Sequence, residues 1–321
     1  MMKISVLGCG RWGAFQAWYA ARCGHDVLMW GRPGEPDIEE LISTRRNSYL
    51  ELPSGLNLTT DLDAAVGHAD LIIISISSQA LRSFAARLDE YDLSRKPFLL
   101  CMKGLEQDTG KRLTTVMSES IKQPIRVAVL SGPGHVQSYT AGIPGAMVVD
   151  SEDKAHIKWI IDSLGSELIR LYIGNDLIGT EIGAAAKNVI GLAAGMLDGF
   201  GYTSLKGALM ARGAREVARL IKAMGGNELS AYGLCHLGDY EATLFSEFSQ
   251  NRMFGETFVK GETYTKLAEG VYTVKAMVKL SDELGVELPI SRAVLNIVHH
   301  GADPKQELTG LFLRSVKSEF D

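Results

Sequence analysis

Residues 3 to 30 restrict the fold more than any other stretch of the chain. An apolar run at 3–7 leads into Gly8-Cys9-Gly10-Arg11-Trp12-Gly13, followed by a helix-forming run at 14–23, Gly24, and a second apolar run at 26–30. Strand, glycine turn, helix, strand is the order of a βαβ unit, and each glycine has its own reason to be there. The first permits the tight turn, the second lets a pyrophosphate come up to the backbone, and the third lets the helix pack close to the strand. Free N–H groups at the helix start then face the anion. The turn reads as dinucleotide-binding, with Gly8, Gly10 and Gly13 as its cradle. Further apolar runs at 69–75, 98–102 and 126–130, with a helix expected near 78–88, continue the alternation. Strands alternating with helices imply right-handed crossovers and a mostly parallel sheet covered on both faces. The first half is therefore expected to be α/β, a doubly wound, Rossmann-like domain.

Around residues 172–176 the texture changes: β-branched runs become scarce and glycine-punctuated helical patterns take over. The 321 residues suit two domains, and the expected division is a dinucleotide-binding domain at 1–174 and an all-α domain at 175–321. Helices are expected at 179–197, 206–224, 267–284 and 290–299, with an amphipathic tail at 304–319. A formal net charge of −5 advertises no basic surface for nucleic acid. No apolar run approaches the ~18 residues of a membrane span, and the chain enters its first strand without signal-peptide anatomy, so a cytoplasmic protein is expected. Cys9, Cys23, Cys101 and Cys235 lack Cys-x-x-Cys spacing and read as reduced thiols. The seven histidines show no ligand spacing, and His299-His300 reads as a solvated helix end, so no metal is expected.

Several residues stand out for chemistry. Past the second strand, Arg32 suits the 2'-phosphate of NADP, while Glu35 and Asp37 just beyond suit the ribose hydroxyls of NAD, and both cofactors stay open. Lys103-Gly104 and Ser131-Gly132-Pro133-Gly134 follow apolar strands, at the carboxyl edge where ligands of such sheets collect. Lys187 lies in a run from Ile182 to Gly195 that is apolar nearly all round, and Glu181, six residues back, falls on a different helix face. An ammonium desolvated there has its pKa pulled down, which suits it to exchange a proton with a reacting oxygen near neutral pH. The competing reading is a lysine that snorkels outward or pairs with a distant carboxylate. Asp239 is a candidate to orient Lys187 and a substrate hydroxyl, and Ser249-Gln250-Asn251-Arg252 supplies a polar, cationic cluster. Either segment also reads as a helix cap or surface turn.

With these residues in view, the chain resembles the NAD(P)-dependent glycerol-3-phosphate dehydrogenases of the bacterial type, over nearly its whole length. The blocks that carry the resemblance are Gly8-x-Gly10-x-Trp12-Gly13, Ser78-Gln79-Ala80-Leu81-Arg82, Lys103-Gly104-Leu105-Glu106 and Ser131-Gly132-Pro133. They continue with Ala141-Gly142-Ile143-Pro144, Ala186-Lys187-Asn188-Val189-Ile190, Gly238-Asp239, Asn251-Arg252-x-Phe254-Gly255 and Glu269-Gly270. The resemblance implies Lys187 as proton donor and acceptor, with Lys103 and Asp239 at the reacting end of the substrate and Asn188 and Thr243 in support. It implies Arg11, Trp12, Val136, Gln250 and Glu269, with Lys103, toward an NAD or NADP cofactor. Gly132, Gly134, Ser249, Gln250 and Asn251 fall on the substrate side. It further implies hydride exchange between the nicotinamide and the middle carbon of a three-carbon phosphate, dihydroxyacetone phosphate one way and sn-glycerol 3-phosphate the other. A homodimer and a role in glycerophospholipid precursor supply are also implied. The expected site is a cleft where Lys187 and Asp239 face Lys103.

Departures from the family pattern fall at the substrate. Ser249-Gln250-Asn251 stands where the family has Ser-Arg-Asn, Gly134-His135 where Ser or Thr precedes Phe, and Ser204 where Asn is common. A guanidinium gives phosphate a bidentate, charge-assisted grip, roughly twice as strong per bond as a neutral amide offers. Arg252 and Lys206 are the candidates to compensate. The alternatives are a different phosphorylated or carboxylated hydroxy compound as substrate, or a nucleotide-binding module without catalysis.

Overall fold

The computed structural model describes residues 1–313, 315, 318 and 319, and the chain divides into two compact units. The first comprises 1–102 and 113–175, the second 103–112 and 176–321. The segment 103–112, placed in the first half by a single boundary at 174/175, belongs with the helical unit.

The first unit alternates strand and helix: β1 (Lys3–Leu7), α1 (Arg11–Arg22), β2 (Asp26–Trp30), α2 (Pro36–Thr44), β3 (Asn57–Thr59), α3 (Leu62–His68), β4 (Leu71–Ile74), α4 (Leu81–Leu88), β5 (Phe98–Leu100), α5 (Leu113–Ser120), β6 (Val127–Ser131), α6 (Val136–Thr140), β7 (Gly145–Asp150), α7 (Lys154–Leu164) and β8 (Ile169–Ile173). One sheet runs in the order β3-β2-β1-β4-β5-β6-β7-β8, parallel except where β6 meets β7. The order reverses direction at β1, between β2 and β4, where carboxyl-edge loops of such sheets diverge and leave room for a ligand. Every residue of β4 and β5 is buried, as strands covered on both faces require. The doubly wound expectation holds, as do the bounds of β1 and β2. The closing strands β7 and β8 went unread in the sequence because β8 alternates only weakly, with Tyr172 and Ile173 exposed at the sheet edge. Cys9, Cys23, Cys101 and Cys235 form no disulfide among the described residues.

His156 of α7 is fully buried in this unit, and among the described residues neither ring nitrogen has a hydrogen-bond partner. Burial, reinforced by the charge of Arg126, pulls its pKa down to about 4. The unfolded chain therefore takes up a proton near pH 6.5 that the folded chain refuses, and the stability this histidine contributes drains away as pH falls from about 6.5 toward about 4. His156→Phe leaves no nitrogen to protonate. Its thermal midpoint should exceed wild type by more at pH 5 than at pH 8, which differential scanning calorimetry at the two pH values would read; an equal shift at both would contradict the assignment.

The second unit contains α8 (Leu177–Gly199), α9 (Lys206–Ala223), α10 (Gln250–Val259), α11 (Gly270–Leu284), α12 (Pro289–His300) and α13 (Pro304–Gly310). Continuously buried from Gly179 to Leu197, α8 is the central helix that its apolar sequence predicts. It meets α10 through glycine: a Cβ at Gly195 would stand 1.9 Å from the Arg252 carbonyl oxygen, and one at Gly255 2.1 Å from that of Leu192. The two backbones pack too closely for any side chain between them, and this contact presents the start of α10 to Asn188. No helix was expected at α10, whose polar first turn and short apolar face give little helical periodicity. The expected tail helix extends only to Gly310, a 3-10 turn follows at Leu311–Leu313, and part of the expected span lies outside the described residues. Among the described residues no helix is long and apolar enough to cross a membrane, and no cluster of His, Cys, Asp and Glu could hold a metal.

Candidate active site

The first unit builds the glycine turn as the sequence predicts. Gly8 has φ +117°, and a Cβ there would lie 2.1 Å from the Ser75 carbonyl oxygen; one on Gly13 would strike the carbonyl of Gly8 at 2.0 Å. A Cβ at Gly10 would instead project into open space. Two glycines are thus required by packing, and the middle one keeps a surface clear ahead of α1, whose N-terminus has no side-chain cap. Such a surface has the shape and the free N–H groups that a pyrophosphate requires. Arg11 donates to the Gln137 amide oxygen at 3.1 Å and lies over the Tyr49 ring, while Trp12 stacks on Phe15. Arg32 pairs with Glu35 at the surface, so the cation suited to NADP is held by the neighbouring acid. The Val136 side chain is fully buried in the core of the first unit.

Gly134 explains its own departure. It has φ +144°, and a Cβ there would lie 2.4 Å from the ring of Tyr139, whose hydroxyl donates to the Pro133 carbonyl oxygen at 2.8 Å. Tyr139 stacks on Phe15 in the core and fills the room a Ser or Thr side chain would need. Gly132, also at positive φ, packs against Met147 of β7.

The second unit gathers the ionisable groups. Lys187 on α8 and Lys103, at the start of the 103–112 excursion, each place Nζ 2.7 Å from the same oxygen, Oδ2 of Asp239. Asp239 is 1% exposed and Lys187 8%, whereas the Lys103 side chain keeps more contact with solvent. Lys187 also donates to Thr243 Oγ1 at 2.8 Å. An ammonium has three N–H groups, so one remains for a reacting oxygen. Burial lowers the Lys187 pKa, the Asp239 charge opposes that, and the Lys103 charge adds to it; the result is a pKa pulled down to about 8. The distant-carboxylate reading of Lys187 is therefore correct as to partner, and the low pKa survives the pairing because burial, aided by the Lys103 charge, outweighs the Asp239 charge.

An amide ladder fixes the backbone around this cluster. Asn188 Nδ2 donates to the Lys103 carbonyl oxygen at 3.0 Å, Asn251 Nδ2 donates to Asn188 Oδ1 at 3.0 Å, and the Gly270 N–H donates to Asn251 Oδ1 at 2.9 Å. The ladder ties the Lys103 segment, α8, α10 and the start of α11 together, with Glu269 one residue before its last rung. The 103–112 excursion is also pinned by Arg112, which donates to Glu181 at 2.6 Å. Glu181, the acid nearest Lys187 in sequence, is thereby occupied.

Ser249 caps α10, its Oγ accepting from the Arg252 N–H at 3.3 Å. Gln250 accepts from the Tyr264 hydroxyl at 2.5 Å and donates to the Phe248 carbonyl oxygen at 3.4 Å. Neither candidate for compensation takes the place of the missing arginine. Lys206 Nζ donates to Asp198 and to the Leu244 carbonyl oxygen, and Arg252 donates to Asp198, Glu256 and the Ser246 carbonyl oxygen. Asp198 holds both cations as structural partners.

Two residues passed over in the sequence position Asp239. His236, fully buried, donates from Nδ1 to the Gly183 carbonyl oxygen at 2.8 Å, which leaves Nε2 to accept from the Tyr240 hydroxyl at 2.6 Å. Burial pulls the His236 pKa down to about 4, so the ring stays neutral and keeps this arrangement. It bolts the turn at Leu237–Asp239 to α8. A lone histidine and tyrosine four residues apart carry no ligand signature, so only the structure reveals the bolt.

Both units of the chain are similar to known proteins. Models of the N-terminal and C-terminal parts of NAD-dependent glycerol-3-phosphate dehydrogenase match residues 3–157 and 176–309. A glycerol-3-phosphate dehydrogenase, NAD(P)+, from a Thermoanaerobacter species is 36% identical over 331 residues, 99% of each chain. One from Prosthecochloris aestuarii is 35% identical over 99% of this chain and 100% of its own. The crystal structure of glycerol-3-phosphate dehydrogenase from Coxiella burnetii superposes with a TM-score of 0.90 at 27% identity, covering 98% of this chain and 99% of that one. Similarity that runs through both units places the chain in the NAD-dependent glycerol-3-phosphate dehydrogenase family.

Proposed function

We propose that the protein is an NAD(P)-dependent oxidoreductase that interconverts dihydroxyacetone phosphate and sn-glycerol 3-phosphate. The observation that carries the reading is Lys187: a buried amine with a pKa near 8, one hydrogen uncommitted, and a carboxylate shared with a second lysine. Family membership supplies the substrate class. The division of labour follows the two units, with residues 1–174 holding the dinucleotide and 175–321, joined by Lys103, holding the substrate. Gly8, Gly10, Gly13, Arg11 and Trp12 would receive the cofactor, with Arg32, the Val136 main chain and Glu269 at its other contacts. When bound, the nicotinamide supplies or accepts the hydride.

The remaining work is the chain's own. Lys187 gives its proton to the oxygen that becomes the alcohol and takes it back in the reverse direction. Lys103 adds positive charge beside the same oxygen, where it counts for more because the surroundings are desolvated. Asp239 keeps both amines within reach, Thr243 and Asn188 hold Lys187 and the Lys103 backbone in register, and Asn251 extends that frame. Gly132, Gly134, Ser249, Gln250 and Asn251 are assigned to the rest of the substrate. A cytoplasmic homodimer serving glycerophospholipid synthesis belongs to the same reading and rests on the family resemblance. Oxidation of NADH and of NADPH with dihydroxyacetone phosphate, followed by loss of the reduced nicotinamide's absorbance, tests the function; turnover with neither cofactor would refute it.

One observation favours a second reading of the substrate. Gln250 offers no charge, and Arg252 and Lys206 are committed to Asp198, so a hydroxy compound with a carboxylate in place of the phosphate is the alternative. Gln250→Arg separates the two. With a phosphorylated substrate the restored fork should lower KM by about tenfold or more, the worth of a charge-assisted bidentate pair, while kcat changes little. An unchanged KM for dihydroxyacetone phosphate, with turnover of a carboxylated ketone, would favour the second reading.

A further inference from the structure

The helical unit contains a cavity of about 740 Å³ whose lining includes none of Lys103, Lys187, Asp239 or Asn251. Its size is that of sites that bury small organic ligands, roughly 300–1,000 Å³. Leu197 of α8, Leu209 of α9, Ile290 of α12 and Leu308 of α13 give it an apolar floor. Along one side runs a basic stripe on α9: Arg212, Arg219 and Lys222 line the cavity, and Arg215 continues the same helical spacing.

Three acids, Glu216 and the exposed Glu287 and Glu319, line the cavity beside these cations, and the charges of Glu216 and Glu287 act on Arg219, but the direct partners are unevenly distributed. Arg212 donates to the main-chain carbonyl of Glu319 at 2.5 Å and Arg219 to that of Glu287 at 3.0 Å. Among the described residues neither guanidinium forms an ion pair with a carboxylate. Glu216 also lines the cavity, but it spends both oxygens on Ile290 N–H, Ser291 N–H and the Ser291 hydroxyl, capping α12. Lys222 is the basic lining residue that has an acidic partner, Glu228, at 3.1 Å. Two arginines with neutral acceptors beside a long apolar hollow describe the two ends of one ligand. We propose that this cavity binds a single-chain amphiphile with an anionic head, its hydrocarbon chain among Leu197, Leu209, Ile290 and Leu308 and its carboxylate or phosphate against Arg212 and Arg219. The site is separate from the one assigned to the reaction and does not depend on that assignment.

Isothermal titration of the full chain with decanoate, decyl phosphate, 1-decanol and inorganic phosphate tests this. Both anionic amphiphiles should saturate a single site, 1-decanol should bind about tenfold or more weakly, since it lacks the charge-assisted bonds, and inorganic phosphate should not compete. Whichever of decanoate and decyl phosphate binds tighter identifies the head group. Ala208 and Ala223 are exposed residues on the lining. Ala208→Phe, or Ala223→Phe as an independent variant, should fill the hollow and abolish binding while turnover stays at the wild-type rate. Arg219→Gln should weaken the anions about tenfold and leave 1-decanol unchanged. No saturable heat, equal affinity for 1-decanol, or full binding in both phenylalanine variants would overturn the proposal. So would a change of sedimentation coefficient in Ala208→Phe, because the hollow would then be a contact between copies of the chain.

Discussion

Lys187→Ala lowers turnover by about 100-fold or more in both directions, the low end of what a positioned acid or base contributes, while dinucleotide affinity is unchanged. The glycine turn and α1 belong to the other compact unit. Alanine also removes a buried side chain from α8, so a loss of activity could in principle reflect packing. Lys187→Met resolves this: it keeps most of the volume, avoids the ~2–5 kcal/mol typical of truncating a large buried side chain to alanine, and still lacks the proton. Equal loss of kcat in both variants, with the methionine variant near wild-type stability, is the expected outcome. Retention of more than about a tenth of wild-type kcat in the methionine variant would show that the amine is not the acid or base.

Asp239→Asn produces the second large effect, and magnitudes decide its form. Leaving a buried charge without its partner costs about 3–5 kcal/mol. Lys187 has a cheaper escape, because with a pKa near 8 it can release its proton at pH 7 for about 1.4 kcal/mol. Deprotonation wins. The variant should therefore fold, losing only about 1–2 kcal/mol in urea unfolding at pH 7, but Lys187 then stands neutral beside the charged Lys103. Ketone reduction, which needs the proton, should collapse at pH 7 and recover partly as pH falls, its apparent pKa displaced downward by about 2 units or more. Reduction that keeps its wild-type pH dependence in this variant would mean that Asp239 does not set the Lys187 proton affinity.

Much of this was legible in the chain, and the reasons are specific. The glycine turn reads clearly because sterics leave few alternatives at Gly8 and Gly13. Lys187 stands out because a charge on an all-round apolar helix is costly unless something holds it. Its partner was legible only as a candidate, since Asp239 also read as a cap or turn: it comes from a 3-10 turn fifty-two positions later, and its seating depends on His236 and Tyr240, whose bonds are tertiary. The compensating roles expected of Arg252 and Lys206 failed for the same reason. Their partner Asp198 sits at the end of α8, where sequence spacing carries no information about the approach of α10. Glycine at 134 was visible as a departure, but its cause, the buried ring of Tyr139, required coordinates.

The account rests on one amine exchanging a proton with the reacting oxygen, and the pH dependence of kcat in the two directions tests it most directly. With Lys187 near pKa 8, reduction of dihydroxyacetone phosphate should be level at lower pH and fall above about 8, whereas oxidation of sn-glycerol 3-phosphate should rise through the same pH to a plateau. The inflection should vanish from the residual activity of Lys187→Met. Profiles that bend in the same sense in both directions, or an inflection near 8 that persists without the lysine, would contradict the account.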